Sequence, residues 1–295
     1  MPENVDWNAA IRADQTAAVV RQRLRSLGIV PRKRLGQNFL IDPDVLARIL
    51  EVADVQPDST VVEVGPGLGV LTRALVQRAA RVVAVEKDPE LVDILRRALG
   101  DVANLELVIG DVLRFDPAQH GVQTPYQVVA NLPYYVTSPT MRRFMEEVTR
   151  PQSMVLMVQR EVAERIVARP GEMSLLSVSV QFYAETRLAA IVPPEAFYPT
   201  PKVESAIVRL DVLPRPLLDV DPSSFFRLVQ AGFSQPRKQL HNTLAQRIWF
   251  PPGGASQALQ AADIDPQRRA QTLSMQEWET LWRVLSLQGL LKPEE

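Results

Sequence analysis

The feature that most constrains the fold is an alternation between short runs of β-branched residues and stretches with helical spacing. Strands are predicted over 60–64, 81–86, 105–109, 126–131 and 153–159, with later candidates over 175–182 and 203–210. Helix-like segments over 70–78 and 90–99 separate the early strands. This alternation predicts an α/β domain with a parallel, doubly wound sheet. Past Pro214-Arg215-Pro216 the pattern is helical only, interrupted at Pro251-Pro252-Gly253-Gly254. Ahead of the sheet, residues from about Ala9 to Val30 alternate apolar and basic positions at helical spacing. The expected organisation is an amphipathic basic arm over 1–30, an α/β domain over 31–212 and a small helical domain over 213–295.

The chain has 295 residues, 46% of them hydrophobic, enough to bury a sizeable core without covalent staples. It contains no cysteine, which excludes disulfides, thiolate zinc sites, iron–sulfur clusters and a cysteine nucleophile. With His120 and His241 as its only histidines, a multi-histidine metal site is out of reach, and no metal is expected. Net charge is −1, but it is unevenly spread. Arg21, Arg23, Arg25, Arg32, Lys33 and Arg34 fall within 21–40, and Arg227, Arg237, Lys238 and Arg247 within 222–250; neither stretch holds an acid. Two basic segments on an acidic body predict directed contact with a polyanion, unless both are plain solvated faces. The first ten residues carry Glu3 and Asp6 and no apolar run, so they do not resemble a signal peptide. The longest uncharged run, 117–141, holds four prolines and cannot span a membrane. A monomer in a reducing, cytoplasmic setting is expected.

The first predicted strand runs into Gly65-Pro66-Gly67-Leu68-Gly69 and then a helix, where glycines permit a tight turn and close backbone approach to a ligand. The spacing G-x-G-x-G differs from the dinucleotide fingerprint G-x-G-x-x-G and counts against a nicotinamide dehydrogenase. Glu86 ends the next strand, where an acid can accept from both hydroxyls of a ribose. Asp111 follows the third strand, placed to accept from an adenine amino group, although a helix cap would use it equally well. Carboxyl ends of successive strands share one crevice, so Gly65, Gly67, Glu86 and Asp111 predict an adenosine-bearing cofactor.

The fourth strand ends in Asn131-Leu132-Pro133-Tyr134-Tyr135. An exocyclic adenine amine is a poor nucleophile because its lone pair is delocalised into the ring. Acceptors placed around that NH2 favour a pyramidal nitrogen and return the lone pair to it. The Asn131 side-chain oxygen and the Leu132 carbonyl are two such acceptors; Pro133 fixes the backbone and Tyr134 offers a stacking face. An Asn-Pro turn with core aromatics is the plainer reading, and it leaves the position beside the cofactor crevice unexplained.

Four stretches in this order carry a resemblance: Leu35-Gly36-Gln37-Asn38-Phe39-Leu40, Glu63-Val64-Gly65-Pro66-Gly67-Leu68-Gly69, Asn131-Leu132-Pro133-Tyr134, and Phe197-Tyr198-Pro199-Thr200-Pro201-Lys202-Val203-Glu204-Ser205-Ala206. A fifth is Arg237-Lys238-Gln239-Leu240-His241-Asn242-Thr243-Leu244. The chain resembles bacterial 16S ribosomal RNA adenine N6-dimethyltransferases. The resemblance implies a Rossmann-like methyltransferase sheet with a small C-terminal helical domain and S-adenosylmethionine as donor. It implies cofactor contacts from Gln37, Asn38 and Leu40 beside Gly65, Gly67, Glu86, Asp111 and Asn131. Tyr134 and Phe197 would sandwich a flipped adenine, against the plainer view of Phe197 as a buried aromatic. Arg32, Lys33, Arg34, Lys202, Arg237 and Lys238 would contact RNA of the 30S subunit or its precursor. Tyr135 and Val136 depart from the residues usual after the tyrosine. A 23S rRNA adenine methyltransferase shares this chemistry; a DNA adenine methyltransferase usually has proline where Leu132 stands; and a non-catalytic assembly or transcription-factor-like role fits poorly with intact Asn131, Tyr134, Glu86 and Asp111.

Overall fold

The computed structural model describes residues 17–26, 31 and 37–291. Most of the predicted arm, with Arg32, Lys33, Arg34, Leu35 and Gly36, lies outside the described residues. The chain divides into two compact units, Met1–Ala163 with Arg187–Val212, and Glu164–Thr186 with Leu213–Glu295.

In the first unit, β2 (Thr60–Val64), β3 (Arg81–Glu86), β4 (Leu105–Ile109), β5 (Gln127–Asn131) and β6 (Ser153–Gln159) pair in parallel. The seven-stranded order is β4-β3-β2-β5-β6-β9-β7, with β7 (Ala184–Val192) and β9 (Ser205–Val212) completing one side. β9 runs antiparallel to β6, so the sheet is mixed at that side rather than parallel throughout. The central strands are buried on both faces, which is why they read as continuous valine-rich runs: Val61, Val62, Val82, Val83, Val128 and Val129 are all fully inaccessible. Helices α2 (Pro43–Ala53), α3 (Val70–Val76), α4 (Pro89–Leu99) and α5 (Thr137–Glu146) flank them. Two begin with the same device, an aspartate cap before proline. Asp42 accepts from the Asp44 and Val45 N–H groups, Asp88 from that of Glu90, and Pro43 and Pro89 supply a preset first turn.

Of the predicted arm, α1 (Ala17–Ser26) is described and is amphipathic as expected. Val20 and Leu24 pack into a cluster with Phe39, Leu68, Leu91 and Ile94, while Arg21 and Arg25 stay exposed. A small second sheet pairs β1 (Phe39–Leu40) antiparallel with β8 (Phe197–Tyr198).

The segment predicted as a strand over 175–182 is a helix, α7 (Leu175–Gln181). Its alternating valines mimic a strand, but Ser174 and Ser177 form a reciprocal capping box that nucleates a helix. The strand lies further on as β7, whose Ala, Glu and Arg content hides it from a propensity reading.

The second unit holds α7 with α8 (Pro222–Gly232), α9 (Leu240–Arg247), α10 (Gly254–Ala261) and α11 (Met275–Leu287). Its core includes Phe225, Leu228, Leu244, Leu259, Trp278 and Leu281. The sequence-based boundary at 212 differs from this partition in one respect: residues 164–186 pack with the helices. Phe182 explains this, since its ring stacks on Phe225 at 5.1 Å and its carbonyl accepts from the Leu217 N–H.

Candidate active site

Strand order reverses between β2 and β5, so the loops leaving their carboxyl ends diverge and open a crevice. The loop after β2 makes its floor. Gly67 has φ +57, and a Cβ there would meet the Phe39 ring at 3.3 Å. Gly69, at φ +80, caps α3, and a Cβ would press to 2.5 Å from the Leu95 side chain. Both positions therefore need glycine, and of the two Gly67 lines the crevice with bare backbone. The β1–β8 pairing sets Leu40 opposite Phe197, bringing residues from the two ends of the α/β region to the same wall.

Three acids meet this crevice in different states. Glu86 is mostly buried; one carboxylate oxygen accepts from the Asp88 N–H at 2.9 Å and the other from the Gly67 N–H at 3.4 Å. Burial raises its carboxyl above the ordinary value, against those bonds. Asp111 is held below the ordinary range, chiefly by the Lys87 ammonium 2.8 Å away. Its other oxygen caps a short 3-10 turn by accepting from the Leu113 N–H at 3.1 Å. The plainer reading of Asp111 as a cap is thus correct for one oxygen, while the residue also lines the cavity. Glu63 lies at the cavity's base, wholly buried, and desolvation pushes its carboxyl up to about 8.

Asn131 ends β5, and its side-chain Nδ2 donates to the Asn38 carbonyl at 3.3 Å. A carbonyl can only accept, so this bond fixes the amide and assigns Oδ1 as the acceptor face of the group. Leu132 buries its side chain in the core and takes its N–H to the Met157 carbonyl, so its part in the site is that of its backbone. Tyr134 exchanges a hydrogen bond with Ser205 Oγ at 2.9 Å, which fixes the height and tilt of its ring. Phe197 is 2% exposed and packs in the same core as Leu40 and Ile207, yet it also lines the cavity; it is both the core aromatic and a wall of the site.

One cavity is thus lined by Gln37, Asn38, Leu40, Gly65, Gly67, Glu86, Asp111, Asn131, Leu132, Pro133, Tyr134 and Phe197, all singled out from sequence. Lys202 is exposed on the β8–β9 connection and does not line it; Arg237 and Lys238 are exposed between α8 and α9 of the helical unit. Sequence reasoning gave no individual role to Phe39, Glu63 and Ser205, although all three fall in the stretches that carry the resemblance, and it did not single out Lys87. Lys87 adjoins Glu86 in the chain and could have been suspected; Ser205 bonds Tyr134 from a remote strand, and nothing local tied the two together.

The model of the family described as ribosomal RNA adenine dimethylase matches residues 30–286. A ribosomal RNA small subunit methyltransferase A of Dehalococcoides mccartyi is 45% identical over 271 residues, 91% of this chain and 93% of that one. The crystal structure of the 23S rRNA methyltransferase ErmE superposes with a TM-score of 0.68 at 30% identity, covering 84% of this chain and 100% of that one. A dimethyladenosine transferase from Plasmodium falciparum has the same fold, with a TM-score of 0.71 at 24% identity over 85% and 98% of the two chains.

Proposed function

From the chain's membership of the ribosomal RNA adenine dimethylase family, to which it belongs, and from the cavity, we propose that it methylates the N6 amines of two adjacent adenines in the 3′-terminal hairpin of 16S ribosomal RNA. The methyl donor is S-adenosylmethionine and the product N6,N6-dimethyladenosine, formed on the small subunit or its precursor by a cytoplasmic monomer that uses no metal. The small-subunit relative is 45% identical and the 23S-directed structure 30%, which favours the small-subunit substrate.

The residues fit the donor. Gly67 lines the crevice with bare backbone, where a Cβ would press on the Phe39 ring, Glu86 offers carboxylate oxygens for ribose hydroxyls, and Asp111 offers one to the adenine amine. When bound, S-adenosylmethionine supplies an electrophilic sulfonium methyl. The chain's own work is on the nucleophile. The observation that carries the reading is the Asn131 amide, turned by Asn38 so that Oδ1 is its accepting atom. Oδ1 and the Leu132 carbonyl accept from the target NH2 and localise its lone pair, while Tyr134, anchored by Ser205, and Phe197 hold the ring. The amine becomes more acidic once alkylated and releases its proton to water, so the site needs no ionisable base.

Asn131→Ala should lower the transfer rate by about 100-fold or more, in the range known for removing one preorganised polar group, with the melting temperature close to wild type. Wild-type turnover in that variant would remove Asn131 from the reaction.

A further inference from the structure

The helical unit carries a groove, separate from the cavity above, lined by Arg227, Gln230, Ser234, Arg247, Trp249 and Leu290. Trp249 is 79% exposed, which is unusual for the side chain with the most apolar area to hide. By contrast, Trp278 is fully buried and Trp282 donates its indole N–H to Ser224 Oγ. Arg227 and Arg247 are exposed along it and no acid is among its described lining residues; Asp221, at the start of α8, lies near enough to Arg227 to be held low partly by its charge. Gln235 Nε2 donates to Gln246 Oε1, tying the turn that carries Arg237 and Lys238 to the end of α9, next to Arg247. An apolar partner surface would match Trp249 but not the flanking guanidinium groups. A phosphate backbone alone would match the guanidinium groups but not the indole face.

We propose that this groove binds unpaired nucleotides of an RNA strand, with one base stacked on Trp249 and the flanking phosphates held by Arg247 and Arg227. Stacking on an exposed aromatic between cations is how single strands are held without a base-paired partner. Gln230 and Ser234 offer donors and acceptors to a base edge. The proposal rests on the RNA-substrate reading but concerns different residues from the methyl-transfer site, so the two can fail independently.

The test follows tryptophan fluorescence of the full chain, wild type against Trp249→Phe, during titration with single-stranded oligo(A) and with a blunt RNA duplex of equal length. Quenching by the single strand that is strong in wild type, absent in Trp249→Phe and weak with duplex is expected. Trp249→Ala should weaken single-strand binding by about 10-fold, Trp249→Phe much less. Arg247→Ala should lower the salt slope of that binding by about one, with cofactor affinity unchanged in all variants. Equal binding of single strand by wild type, Trp249→Ala and Arg247→Ala would overturn the proposal. So would a Trp249 signal that answers only to intact ribosomal particles and not to their extracted RNA, which would assign the groove to a protein partner. A signal changed by removing residues 292–295 but not by RNA would assign it to the chain's own acidic end. Parallel methyl transfer to small-subunit particles reports on the enzyme reading by itself.

Discussion

Glu63 has one carboxylate oxygen that no donor reaches, inside a strand that is buried on both sides. Its carboxyl titrates near 8 when folded and near 4.5 when free, so the folded chain holds an extra proton between those values. Stability must then fall as pH rises through that window, since ionisation there costs the folded state alone. Glu63→Gln keeps the neutral shape and should flatten the decline in urea midpoint between pH of about 5 and about 8; an unchanged slope would show that Glu63 does not set it. Lys87 acts in the opposite sense, holding the Asp111 carboxyl ionised. In Lys87→Met the acid limb of cofactor binding should shift to higher pH, because Asp111 then protonates sooner; titration of cofactor affinity from neutral to acid pH measures it. The two residues also mark what sequence reading can find. Asp111, Glu86 and Asn131 stood at strand ends, where chain position alone predicts a shared crevice. Glu63 stands inside β2, one residue before that strand's end, and only its burial in three dimensions gives it an unusual state.

At the scale of elements, the site depends on pieces that are not part of the main sheet. α1 presses Val20 and Leu24 onto Phe39, Leu68 and Leu91, and three of those partners line the cavity. Leu24→Ala removes a fully packed side chain from that contact and should cost about 2–3 kcal/mol, toward the low end for buried leucine because a short terminal helix can settle inward. Cofactor affinity should fall with it, and calorimetry on the two chains checks both; loss of stability with unchanged affinity would separate the helix from the site. Gly69→Ala should be harsher per atom, since the new methyl meets Leu95 in a left-handed backbone. The parallel strands were legible because burial on both faces writes them as valine runs. β1 and β8 were not, being two residues each and meaningful only once paired. α7 was misread because its valines alternate, and the serines that cap it outweigh them.

At the scale of the whole molecule, a net charge near zero conceals basic stretches at particular places, and the described helices include none long and apolar enough to cross a membrane. Arg237 and Lys238 are exposed, on a turn whose Gln235 is tied to Gln246. Replacing both with glutamate should weaken binding to the ribosomal particle and lower its salt slope by about two while leaving cofactor affinity intact; equal slopes would show that they touch no phosphate. The order of segments along the chain was enough to foresee an α/β sheet followed by helices. It was not enough to foresee that residues 164–186 join the helices, since that depends on Phe182 finding Phe225 across a long stretch of sequence.

The most direct measurement of the central claim is methyl transfer from radiolabelled S-adenosylmethionine to unmethylated 30S particles, 50S particles and duplex DNA in parallel, with the labelled nucleosides digested and identified. The account predicts N6,N6-dimethyladenosine from the 30S particles alone. Label on 50S RNA or DNA, or no label on any of them while the cofactor still binds, would contradict it.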